Sequence, residues 1–171
     1  MLALDQDSAP RIFALVAALA TSVVACGGGT ADGTGNSAVS SQLLAGMIDG
    51  QPWSFVAGQT DHFLSKPTTF FAALYDQPIP TACTPGDPPG ATRSLILNIP
   101  AKVGQFPLSL AFNQTFVYGS GVNNGFQNDV ATTGLLEVKS LTTTTIQGGV
   151  KMEFGTKDSV DGQFEINICA K

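Results

Sequence analysis

The side chains equipped for chemistry in this 171-residue chain are few and scattered. One histidine, His62, follows Asp61, and serines and threonines are plentiful, so a nucleophile–base–acid relay is formally possible. Such relays usually come with a local signature, for example Gly-x-Ser-x-Gly on a sharp strand-to-helix turn, and no such motif is present. The expectation is a strand-end or loop histidine without a catalytic role, with a hydrolase using His62 kept as an alternative. Glu137, Glu153 and Glu165 could approach one another as a glycosidase pair would. Each, however, alternates with apolar residues where a solvated face places a charge, and Lys139 and Lys151 lie close by. Asp158-Ser159-Val160-Asp161-Gly162 sets two aspartates three apart before a glycine, and oxygen-rich loops suit Ca²⁺. It does not follow the twelve-residue calcium loop, and a hairpin turn is expected there. Zinc wants four nitrogen or sulfur ligands, and a single histidine with thiols that can pair does not supply them. No catalytic residue, metal or cofactor is expected.

Binding chemistry is better represented. The stretch from Tyr118 to Asp129 mixes Tyr118 and Phe126 with Asn123, Asn124, Asn128 and Asp129 among flexible glycines. Aromatic faces beside amide donors and acceptors suit a glycan or a peptide, and loops on a rigid scaffold are where function concentrates. The competing reading is turn chemistry alone, since Asn-Asn-Gly is a good turn sequence. Charge excludes one partner class. The chain carries a net charge of −5 with a sequence pI near 4.5 and has no basic cluster, so a nucleic-acid backbone finds no electrostatic footprint.

Location is written at the N-terminus. Ile12 to Ala25 is uncharged, follows Arg11 and ends on small residues, the layout of a secretory signal and shorter than the roughly 20 residues of a bilayer span. Val23-Val24-Ala25-Cys26 resembles the lipobox of bacterial lipoproteins, with an aliphatic residue three before the cysteine and a small residue just before it. Over Arg11 to Cys26 the resemblance implies cleavage before Cys26 and acylation of that cysteine on both sulfur and amine, with membrane lipid as the resulting partner. Two or more acyl chains make such an anchor stable. Gly27 after the cysteine, rather than aspartate, implies sorting to the outer membrane by resemblance to lipoproteins of two-membrane bacteria. Asp5 and Asp7 depart from the basic segment such signals carry. An ordinary cleaved signal and an uncleaved helix are the alternatives, the latter disfavoured by Gly27-Gly28-Gly29. The Asn113-Gln114-Thr115 sequon would matter only in a eukaryotic secretory path. Lipidation of Cys26 would leave Cys83 and Cys169 as an even pair in an oxidising compartment, which predicts a disulfide between them; two free buried thiols or an intermolecular bridge are the alternatives.

The elements that must position these residues follow from punctuation and period. Residues 1–25 read as signal peptide and 26–42 as a lipidated cysteine with a Gly/Ser/Thr-rich tether. Residues 43–171 read as one domain. It is a series of short β-prone segments divided by Gly, Pro, Asn and Asp, with no helical spacing sustained for a dozen residues. Val150, Met152 and Phe154 alternate with Lys151 and Glu153, and Phe164, Ile166 and Ile168 with Glu165, Asn167 and Cys169. Period-two alternation of this kind belongs to antiparallel strands with one wet face. The fold class expected is all-β, a single antiparallel β-sandwich, with a small barrel as alternative. The opening of this domain, Asp-Gly-Gln-Pro-Trp-Ser, and its ending, Gln-Phe-Glu-Ile-Asn-Ile-Cys, resemble those of uncharacterised secreted lipoproteins. The expected role is that of a lipid-anchored envelope lipoprotein with a non-catalytic β domain, binding or structural.

Overall fold

The computed structural model describes residues 38–109, 111–119 and 125–170. Cys26, the signal segment, Asn123 and Asn124 lie outside the described residues. The first hairpin sets the entry into the domain. β1 (Ala45–Ile48) and β2 (Gln51–Ser54) are joined through Asp49 and Gly50, at φ 54° and 64°. Positive φ at both central residues makes the two-residue turn that Asp-Gly favours, because its twist matches that of the strands.

A meander follows: β3 (Ala57–Lys66), β4 (Thr69–Tyr75) and β5 (Arg93–Pro100). The chain continues through β6 (Gly104–Pro107), β7 (Thr115–Gly119) and β8 (Phe126–Val130). It ends in a second meander of β9 (Thr133–Leu141), β10 (Thr145–Phe154) and β11 (Asp158–Asn167). No helix occurs among the described residues, and the all-β expectation holds.

The strands form one ladder, β6-β9-β10-β11-β3-β4-β5-β7-β8, with β1 paired to both β11 and β2. Every strand pairing in it is antiparallel except β11 with β3, which meet in parallel at the single pair Asn167↔Gln59. The two faces expected of a sandwich therefore belong to one sheet that curls over at this seam. Its halves pack through aromatic rings: Phe116 of β7 lies 4.2 Å from Phe154 of β10, and Trp53 of β2 meets Phe116 edge-on at 5.9 Å. Leu74, Leu95, Leu97, Val150, Met152 and Ile166 fill the interior, each contributing about 1.5–3 kcal/mol through burial. The Trp53 indole Nε1 is buried without a hydrogen-bond partner.

Among the described residues, hydrogen bonding to the sheet reaches back to Ser40, within residues 26–42. The Ser40 amide donates to Asp161 Oδ1 at 2.7 Å, and the Gln163 amide donates to the Gln42 carbonyl at 2.7 Å. The stretch 158–162, read as a hairpin turn, is the start of β11, and the turn lies just before it at residues 155–157, with Gly155 at φ 65°. Gly162, at φ 147°, lets the backbone of Leu43 and Leu44 pass where a Cβ would sit 2.6 Å from Leu44 Cα. Phe70 and Phe71, neighbours on β4, point to opposite faces because strand side chains alternate. Phe70 packs on the core, and Phe71 lines a cavity on the other side.

Candidate ligand-binding cavity

The loop between β4 and β5, residues 76–92, carries Pro78, Pro80, Pro85, Pro88 and Pro89. Proline offers no amide to a ladder, so this segment cannot pair as a strand and must be held by other means. Cys83 and Cys169 are bonded, with their Cα atoms 5.3 Å apart. That is the expected pairing. Gln59, 8% exposed, supports the same point: its Nε2 donates to the Thr84 carbonyl at 2.9 Å, and its Oε1 accepts the Cys83 amide at 2.7 Å. Cys83 sits at φ 62°, a region that disfavours non-glycine residues, and both attachments hold it there. Further along, the Tyr75 hydroxyl donates to Asp87 Oδ1 at 2.9 Å. At the far anchor, the Cys169 amide donates to Thr60 Oγ1 at 2.9 Å.

This strap arches over the outer face of β3, β4 and β5, opposite the core, and leaves a cavity of about 120 Å³ beneath it. Gln59 and Asp61 of β3, Phe71 and Tyr75 of β4, and Ile96 of β5 form the floor, and Cys83 to Asp87 form the roof. No lysine or arginine lines it. Burial, then the hydrogen bond and charge of Asp87, then the charge of Asp61 push the Tyr75 phenol well above its ordinary value. Burial and the two carboxylates thus act on this hydroxyl in the same sense.

His62 stands at the rim, half-buried, its ring tilted 40° against that of Phe63 at 3.8 Å between centroids. Among the described residues it makes no hydrogen bond to a serine or a carboxylate. The Asp61 Oδ1 accepts the Phe63 and Leu64 amides at 2.7 and 3.0 Å, and Ser65 Oγ donates to the Asp61 carbonyl. Those bonds stabilise the bulge in β3 and do not form a relay. The glutamates do not converge either. Glu165 accepts from Gln147 at 2.8 Å, Glu153 from Thr133 at 3.2 Å and Glu137 from Gln105 at 3.4 Å, each at a different level of the ladder. Asp158 accepts the Asp49 and Gly50 amides at 2.9 and 3.1 Å, clamping the first hairpin to β11, while Asp161 pairs with Lys151 at 3.7 Å. Three residues apart on a strand, the two aspartates face opposite ways.

The stretch 118–129 divides between β7 and β8. Tyr118 is 5% exposed and belongs to the core, its hydroxyl donating to Asp129 at 3.3 Å. It therefore offers no stacking face, contrary to the expectation for this loop. Burial, then Asp129, raise its pKa as well. Phe126 is 73% exposed on β8, with Asn128 exposed beside it. Among the described residues no group of three or more His, Cys, Asp or Glu side chains is arranged to hold a metal ion.

Set against known proteins, the chain matches no family model, no curated protein and no solved structure. The cavity has to be read from its own chemistry. Gln59, Tyr75 and Asp87 escaped the sequence reading because each lies far in sequence from the partner that gives it a role. The five prolines around Cys83 were the one available signal that something had to tie this loop down.

Proposed function

We propose that this chain is a lipid-anchored envelope protein, held to the outer membrane through acylated Cys26, whose non-catalytic β domain binds a small ligand in the cavity under the Cys83–Cys169 strap. The observation that carries the binding half is the strap itself. A proline-rich loop is fixed by a disulfide, by both ends of one glutamine side chain and by a tyrosine–aspartate hydrogen bond, and room remains beneath it. Concave sites with a largely apolar lining and a few placed polar groups are the usual form of small-molecule sites. The anchoring half rests on the lipobox resemblance at Val23-Val24-Ala25-Cys26. Replacing Cys26 with serine is expected to release the protein from the membrane fraction and to remove the mass of the acyl chains. A membrane-bound Cys26→Ser protein of unchanged mass would defeat the anchor. Phe126, exposed on an edge strand, keeps glycan or peptide contact along β8 as a second reading. Loss of such binding in Phe126→Ala with an intact cavity would favour it.

A further inference from the structure

The cavity's chemistry narrows its occupant. Its two clearest neutral hydrogen-bond donors are already used: the Gln59 amide donates to Thr84, and the Tyr75 hydroxyl donates to Asp87. The acceptors are not exhausted. Asp61 and Asp87 use only Oδ1 in hydrogen bonds among the described residues, so each keeps an oxygen that has no such partner. An anion would meet two carboxylates and no lysine or arginine in the lining, where His62 and the Thr60 and Thr84 hydroxyls are the remaining side-chain donors. Aromatic carbon completes the wall at Phe63, Phe71 and Tyr75, and ring faces attract cations. A space of about 120 Å³ is well below the roughly 300–1,000 Å³ of drug-sized sites and suits a small head group rather than a whole large ligand.

We propose that this cavity is a receptor site for an organic ammonium group, a protonated alkylamine or a quaternary ammonium head, held by the Asp61 and Asp87 carboxylates against the Phe71 and Tyr75 rings. The proposal rests on the reading of the cavity as a ligand site and specifies what enters it. A free amine and the ammonium end of a lysine side chain in a peptide share this chemistry. The raised pKa of Tyr75 agrees, since burial and both carboxylates act on its hydroxyl in the same sense.

The test titrates the full-length oxidised protein with tetramethylammonium, butylammonium, the uncharged neopentyl alcohol and a Gly-Lys-Gly peptide, following Phe71 and Tyr75 ring resonances. Saturable binding of the ammonium probes is expected, with the alcohol at least about ten-fold weaker, as the loss of a partly screened charge pair requires. Asp61→Asn and Asp87→Asn keep the acceptor oxygens that hold the bulge and the Tyr75 hydroxyl, and each should weaken ammonium binding about ten-fold while leaving the alcohol unchanged. Butylammonium binding without peptide binding identifies a free amine, and the reverse a lysine side chain. If the alcohol binds as well as the cations, or the two Asn variants bind ammonium normally, the ammonium assignment is overturned and the cavity remains a ligand site. If no probe of either charge moves these resonances, both readings fall.

Discussion

At the scale of the residue, two buried amides do what the local backbone cannot. Gln59 substitutes for a strand partner of the strap. Gln114, 1% exposed, extends the β5–β7 ladder past its last backbone pair, accepting the Asn98 amide at 2.8 Å and donating to the Phe112 carbonyl at 2.8 Å. Removing either would leave part-buried backbone groups without partners, at a cost of up to about 1–3 kcal/mol each where water cannot replace the bond. The two tyrosines, the only ones in the chain, yield a spectroscopic prediction. Both phenols are raised by burial and by a neighbouring aspartate, so the unfolded chain gives up these protons first. Their contribution to stability is therefore complete below tyrosine's ordinary pKa of about 10 and is lost as pH rises above it. Phenolate absorbance near 295 nm should stay absent above pH 10 until the fold is lost, then appear with unfolding; ordinary titration near pH 10 in folded protein would contradict the burial of both rings. Neither glutamine was legible in the sequence, because a buried Gln among polar neighbours carries no periodic signal. Trp53, Val150, Met152 and Phe154 were legible, since each occupies the apolar phase of an alternating run.

At the scale of the element, alternation identified the strands that bury one face and missed those that do not. β9, β10 and the second half of β11 were visible in Leu136, Val138, Val150, Met152, Phe164 and Ile166, all buried. β3 was missed because Gly58-Gln59-Thr60-Asp61-His62 presents polar residues to the cavity on one side and a glycine to the core on the other. β8 was missed because an exposed edge strand needs no apolar phase. The strap between β4 and β5 was legible as irregular, and its pairing with Cys169 as a matter of cysteine parity. The disulfide closes a separation of 86 residues, for which chain entropy gives at most about 4.6 kcal/mol. Free-thiol counting on unfolded, unreduced protein should find neither Cys83 nor Cys169 reactive. Replacing both with serine should lower the urea midpoint within that limit and weaken ammonium binding, because the cavity roof is then held by Gln59 and Tyr75 alone. Unchanged affinity in the serine pair would show that the strap does not shape the site.

At the scale of the whole molecule, an all-β, mostly antiparallel body was legible, but a single curled sheet was not distinguishable from a two-sheet sandwich. Alternation reports which face is buried and says nothing about whether two faces belong to one ladder. The difference rests on the pair Asn167↔Gln59, a contact of high sequence separation between residues that show no pattern. So short a seam predicts uneven local stability. After reduction, the amides of Thr60 and Cys169 should exchange with solvent faster than those of Val150 and Met152 in mid-β10, whereas equal protection would mean the seam is held by more than its one pair and the disulfide. The entry of the chain has a mechanical consequence. Ser40 and Gln42 are bonded to Asp161 and Gln163 on β11, a strand flanked on both sides, and β1 continues alongside it from Ala45↔Asp161 to Met47↔Ser159. Tension drawn along that axis from the N-terminal side loads several hydrogen bonds in shear at once, instead of peeling an edge strand away one bond at a time. A body moored by its leading segment would then transmit a pull into the middle of its sheet, into the strand that leads to Cys169 and its bond to the strap.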